Sequence, residues 1–181
     1  MKPTESTFKL SGLTRYIGEC LILEFDEPSS QQLPSRGQVA VELLSETEPR
    51  PVIVIEPDGR RGHWLPLTDQ ASSLGVTGAA QHLEFRARTA ANWPETSVPD
   101  DLHQALAAAS DLTQTWESLT PMARWEWVRW VKSTKNAATR ARRVEVSISK
   151  LRAGKRRPCC FDLSSCTVPE LAKSGKLIPA N

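Results

Sequence analysis

Apolar residues follow two different rhythms along this chain. As far as about residue 90 they sit in short runs or alternate with polar residues, the period-two signature of β-strands. Thr7 to Leu10 opens a short strand, Glu19 to Phe25 a second, Gln38 to Leu44 a third and Pro51 to Glu56 a fourth. The fourth stops at Pro57-Asp58-Gly59, a turn signal because Pro fixes φ and Gly tolerates positive φ. His63 to Leu67 makes a fifth strand. In the sixth, Gln81 to Thr89, Leu83, Phe85 and Ala87 face one way and Glu84, Arg86 and Arg88 the other, as a strand with one wet face requires. Asp26 to Gly37 reads as a turn-rich loop, and Thr68 as an N-cap for one or two helical turns ending at Gly75. Six short strands at this spacing predict a small barrel or sandwich.

Beyond Trp93-Pro94 the period becomes helical. Leu102, Ala105, Leu106 and Ala109 share one face, and Ser110 caps a short helix carrying Leu112 and Trp116. Thr120-Pro121 is a start signal: Thr caps, and Pro at the first helical position loses only an N–H that had no partner. The helix it opens, over 121–134, aligns Ala123, Trp127, Trp130, Val131 and Thr134. After a break near Asn136, a helix over 139–152 aligns Ala141, Val144, Ile148 and Leu151 and stops at Gly154. The expected fold class is α+β. Its parts are a β domain over 1–97, a helical domain over 98–157 and a Cys-containing tail over 158–181.

With 181 residues, 39% of them hydrophobic, the chain has material for one ordinary domain or two small ones. The longest aliphatic run is Val52 to Ile55, far short of the ~20 apolar residues of a membrane span. The opening MKPTESTFKL lacks the apolar core of a secretory signal, so a cytoplasmic location is expected. Charge is distributed unevenly. Residues 1–100 carry nine Lys/Arg against fourteen Asp/Glu, whereas residues 101–181 carry fourteen against seven. Between Arg124 and Arg157 twelve basic residues face only Glu126 and Glu145, a local +10. That asymmetry points to an anionic partner, nucleic acid among the candidates, or to an acidic half docking on a basic one.

No G-x-S-x-G, phosphate-binding loop, H-E-x-x-H or dinucleotide fingerprint occurs, so the expectation leans away from an enzyme. His63, His82 and His103 are scattered, and His63 and His82 are expected at the surface. Cys159, Cys160 and Cys166 lie within eight residues of one another beside Arg156 and Arg157. They form a candidate zinc site, though adjacent cysteines depart from the usual C-x2-4-C spacing; a disulfide or reactive free thiols are the alternatives. The helical part offers a second candidate. Trp125 lies opposite the apolar stripe with Arg129 four residues on, the spacing of a cation–π pair and of a binding surface, unless Trp125 packs beneath the β domain. Arg140 sits at the edge of the apolar face of its helix, with Thr139 as a cap and Arg143 and Lys135 nearby. Lys135, Thr139, Arg140 and Arg143 are therefore a candidate anion site, the alternative being a salt bridge from Arg140 to Glu126, Asp100 or Asp101.

The stretch from Leu119 to Cys160 resembles the YdeI/OmpD-associated family of bacterial proteins. The resemblance rests on Trp130, Lys135, Thr139-Arg140, Arg143 and Gly154-Lys155, preceded by Val98-Pro99-Asp100-Asp101-Leu102 and Ala105-Leu106. Through Arg36-Gly37, Pro57-Asp58-Gly59 and His63-Trp64-Leu65 the first half is similar to a small β domain often fused in front. One departure is Gly78, followed by Ala79 where that pattern has Asp. The resemblance implies a double-split β-barrel followed by helices, and a role in protection against bacteriocins or cationic antimicrobial peptides with no established chemistry.

Overall fold

The computed structural model describes residues 7–46, 49–67, 74–158 and 162–180. Thr68 and the turns it was expected to cap lie largely outside them, as do Cys159 and Cys160. The chain divides into two compact units. One comprises residues 1–92, 163–166 and 171–181, and the other residues 93–162 and 167–170.

The first unit is a closed six-stranded barrel. Its strands are β1 (Thr7–Ile17), β2 (Cys20–Phe25), β3 (Val39–Leu43), β4 (Val52–Pro57), β5 (His63–Pro66) and β6 (His82–Thr89). They run in the order β1-β2-β5-β4-β3-β6, and β6 pairs back onto β1. Every pairing is antiparallel, and closure leaves no open edge for another chain to extend. Leu10, Leu23, Val41, Ile55, Leu65 and Ala87 form the centre of its core. β1 runs seven residues beyond the short strand expected, because Gly12 interrupts the apolar signal without interrupting the strand. Gly12 belongs to both ladders, opposite Phe25 on β2 and Leu83 on β6. A Cβ there would lie 2.3 Å from the Glu24 carbonyl oxygen, so only Gly permits the strand to be gripped from both sides.

The segment expected to be a loop contains a helix, α1 (Glu27–Gln32), capped by Asp26, whose Oδ1 accepts from the Ser29 amide at 2.8 Å. Asp26 followed by Glu27-Pro28 is a helix-start signal, and six residues are too few for a periodicity to show. His63 is a correction: it was expected at the surface and is fully buried, with Nε2 3.1 Å from the Ser35 carbonyl and 3.3 Å from that of Gly37. Its burial holds the ring's pKa below the usual histidine value. His82 is exposed, as expected.

The tail contributes to this same unit. β7 (Ala172–Lys173) and β8 (Lys176–Leu177) form a hairpin turned by Ser174 and Gly175, both at positive φ as a two-residue hairpin loop requires. Leu177 is fully buried, and its amide donates to the Asp58 carbonyl. Arg15 and Arg60 donate to the carbonyls of Ile178 and Leu177, each at 2.6 Å. Gly59, in the β4–β5 turn, approaches so closely that a Cβ would lie 2.0 Å from the Gly175 oxygen.

The second unit is helical: α2 (Asp100–Ala108), a 3-10 turn (Ser110–Leu112), α3 (Thr113–Glu117), α4 (Pro121–Lys132) and α5 (Ala137–Arg152). Thr120 caps α4 by accepting from the Ala123 amide, with Pro121 in the first turn. α5 begins two residues earlier than expected, and its cap is Asn136, not Thr139: Asn136 Oδ1 accepts from the Thr139 amide at 2.9 Å. Leu112, Leu119, Ala123, Trp127 and Leu151 form one core cluster, and Leu102, Val128, Val131 and Val144 another. Ala141, expected on the buried stripe of α5, is exposed. Ser147 is buried in the stripe between Val144 and Leu151, its hydroxyl returned to the Arg143 carbonyl four residues back. Trp127 is fully buried, and its indole N–H donates to the Arg156 carbonyl. We expect Trp127→Ala to cost about 3–5 kcal/mol in urea unfolding; a loss below about 1 kcal/mol would show that it is not a core residue.

Candidate functional site

The two helices α4 and α5 carry most of the basic run, and the structure shows where each cation goes. Arg140 extends from α5 to Asp101 on α2 and grips it with both prongs, Nε to Oδ2 at 2.6 Å and Nη2 to Oδ1 at 3.0 Å. This fork geometry is the strongest an Arg can offer a carboxylate. It holds the Asp101 carboxyl below the usual carboxylate range and raises Arg140 in turn. Arg140 was expected as an anion ligand; its fork is instead closed on an acid of its own unit, the salt bridge weighed as the alternative. Arg129 is also a correction. It was expected beside an exposed Trp125 and is buried, its Nε donating to Thr167 Oγ1 at 2.8 Å. Trp125 is half-buried and meets Trp93 edge to face, ring centres 6.0 Å apart. Both tryptophans belong to the helical unit.

Arg143 is half-buried over the Trp130 ring, its guanidinium carbon 5.5 Å from the ring centre. Its Nη1 donates to the Trp130 carbonyl at 2.8 Å and to Ser133 Oγ. The carbonyl lies in the last turn of α4, where helical N–H donors have run out, so Arg143 ties the end of α4 to α5. Burial lowers its pKa. Lys150 Nζ lies 5.4 Å from the Trp130 ring centre, so the ring has a cation from each of two turns of α5.

Other members of the run are paired as well. Arg124 meets Glu95 at 3.3 Å, Arg152 grips Asp111 with two prongs, and Arg156 donates to the Ser118 carbonyl. Arg157 Nε lies 3.4 Å from Glu126 Oε2. Glu126 is buried, and its Oε1 has no hydrogen-bond partner among the described residues. Burial raises its pKa against the pull of Arg157 and Arg129.

What remains open lies at the start of α5. Trp130, Ala138, Thr139, Arg142, Arg143 and Val146 line a shallow cleft of about 420 Å³. Lys135, just before the helix, is exposed, as is Thr139. Arg142 pairs with Glu145 at 3.0 Å, an exposed i,i+3 contact of small worth. Of the expected anion ligands, the structure thus gathers Thr139 and Arg143 in one cleft and adds Arg142. Arg142 was absent from the expected set; its position one turn before Val146 on the same face was the available signal.

Cys166 is buried and Cys20 half-buried. Among the described residues no group of three or more His, Cys, Asp or Glu could hold a metal ion, and no helix is long and apolar enough to cross a membrane.

Residues 95–154 match the family model described as bacteriocin-protection, YdeI or OmpD-associated. The matched stretch is about a third of the chain and lies within the helical unit. No curated protein and no solved structure matches the chain.

Two expectations follow. Arg140→Lys keeps the charge but loses the fork, and should lower stability by about 0.5–1 kcal/mol, since the pair is partly exposed; unchanged urea unfolding would show that the pair bears no load. Glu126 is an acid with a raised folded-state pKa. Its stability contribution is full below the ordinary glutamate range and is lost as pH rises through the folded-state value. Wild type should therefore lose stability relative to Glu126→Gln as pH rises above the ordinary glutamate range; parallel stability profiles would contradict it.

Proposed function

We propose that the chain is a non-enzymatic binding module whose helical unit takes an anionic group in the cleft at the start of α5. The supporting observation is the lining of that cleft: Arg142, Arg143 and Thr139 beside the face of Trp130. The first-turn amides of Ala137 and Ala138 precede any intrahelical acceptor and lie at the positive end of the helix dipole. An incoming oxyanion displaces Glu145 from Arg142 at little cost, because that exposed pair is weak. Trp130 supplies an apolar wall for whatever carries the anion.

The family description speaks of bacteriocin protection. A cationic peptide meets like charge at this cleft, so a protective role for this protein would run through an anionic partner and not through capture of the peptide.

Nucleic acid is the second reading, favoured by the local +10 and by exposed Lys132, Lys135 and Lys155. It is weakened by the inward pairing of Arg124, Arg140, Arg152 and Arg157, which removes them from a phosphate-tracking surface. Amide NMR titrations with sulfate and with a short single-stranded oligonucleotide separate the two. We expect sulfate to shift residues 137–139, 142 and 143 saturably, and Arg142→Gln with Lys135→Gln to weaken binding about tenfold or more. An absence of sulfate shifts in these residues would refute the proposal. Oligonucleotide affinity falling steeply with salt, by several counterions' worth, would transfer the case to nucleic acid.

A further inference from the structure

The barrel unit contains a polar cavity of about 440 Å³ beside the β4–β5 turn. Arg36, Arg60 and Arg61 line it, with Ser30, Phe25 and the acids Glu27 and Asp58. The turn is built around Asp58, whose Oδ1 accepts the amides of Arg60 and Gly62 at 2.6 and 2.8 Å. Asp58 Oδ1 is thereby engaged by backbone donors, and against the acids Glu27 and Asp58 the three guanidinium groups leave the lining with a net positive charge. Two of them are fixed in place: Arg36 Nη1 donates to the Arg61 carbonyl at 3.0 Å and Arg60 Nη1 to the Leu177 carbonyl at 2.6 Å. Each keeps the rest of its fork. Arg61, whose backbone adopts a φ of 77°, makes no side-chain hydrogen bond or ion pair among the described residues.

Ser30 supplies an independent observation. It is 2% exposed, and its hydroxyl has no hydrogen-bond partner among the described residues. A buried hydroxyl without a partner is costly, and an acceptor oxygen inside the cavity satisfies it. Guanidinium donors converging with a hydroxyl donor form an oxyanion site, and Arg forks match phosphate in particular. The volume lies in the range of small-molecule sites and exceeds what a lone phosphate fills. The Phe25 ring offers an apolar surface for an organic substituent.

We propose that this cavity binds a small phosphorylated molecule, its phosphate held by Arg36, Arg60, Arg61 and the Ser30 hydroxyl and its organic part against Phe25. The site is independent of the cleft on the helical unit. Calorimetric titration of the full chain with inorganic phosphate and with phenyl phosphate tests it. We expect saturable binding of both, phenyl phosphate the tighter. Arg61→Gln should weaken it about tenfold or more. Ser30→Ala should weaken it by a smaller factor with the melting temperature maintained, because the hydroxyl it removes supports nothing in the unliganded fold. Arg142→Gln, on the helical unit, should remove only the heat that the helical cleft contributes and leave the Arg61- and Ser30-dependent binding in place. Absence of saturable binding, or binding that Arg61→Gln and Ser30→Ala leave intact, overturns the proposal. Binding abolished by Arg142→Gln alone also overturns it, while supporting the helical cleft. Equal affinity for the two probes overturns the assignment of an organic substituent.

Discussion

A guanidinium group carries five donors and a permanent charge, and it cannot be drawn into a protein without acceptors to meet it. In the helical unit that constraint decides the architecture. Arg140 ties α5 to α2 through Asp101, and Arg143 ties α5 to the end of α4 through the Trp130 carbonyl. Arg129 reaches Thr167, and Arg152 reaches Asp111 within the 3-10 turn. The apolar clusters around Trp127 and Val131 set the spacing of the helices, and the arginines set their register. A segment that reads as a block of positive charge is, for the most part, scaffold. The surface left for a partner is correspondingly small and lies where α5 begins.

One acid in this arrangement works against stability. Glu126 occupies the buried side of α4, and one of its oxygens lacks a partner among the described residues. Arg157 approaches to 3.4 Å and is itself half exposed to water. Desolvation outweighs attraction in such a geometry, and the carboxyl is easier to keep protonated than in water. The barrel unit treats its outer-face charges differently. Arg88 and Glu42 stand opposite each other across β6 and β3, both prongs engaged at 3.1 Å, so the register of the strands aligns the pair without burying it deeply.

The six barrel strands were legible in the alternation and the turn residues, and the start of α4 in Thr120-Pro121. Those signals are local. What escaped the sequence depended on partners far along the chain. β1 continues through Gly12 because β2 and β6 grip it from both sides, which no window around Gly12 reveals. The tail hairpin belongs with the barrel because Leu177 pairs with the backbone of Asp58, more than a hundred residues earlier. His63 was expected at the surface and is buried because the carbonyls of Ser35 and Gly37 are there to receive its N–H. In the helical unit, the alternatives for Arg140 were visible, but choosing Asp101 over a ligand required knowing where α2 lies. Arg129 was misplaced for a similar reason: a helical wheel places it opposite the main stripe and cannot show that Thr167 closes over that side.

The central claim is that the arginines of the helical unit are internal struts, and their own protons report on it. Arginine Nε–H signals in a proton–nitrogen spectrum exchange with water quickly when solvated and slowly when hydrogen-bonded inside a fold. The Nε–H groups of Arg129 and Arg140 donate to Thr167 and Asp101, whereas the Arg142 side chain is exposed and meets Glu145 through Nη1. Slow exchange at Arg129 and Arg140 beside fast exchange at Arg142 is the predicted result. Equally fast exchange at all three would show a solvated basic face, and would contradict the account.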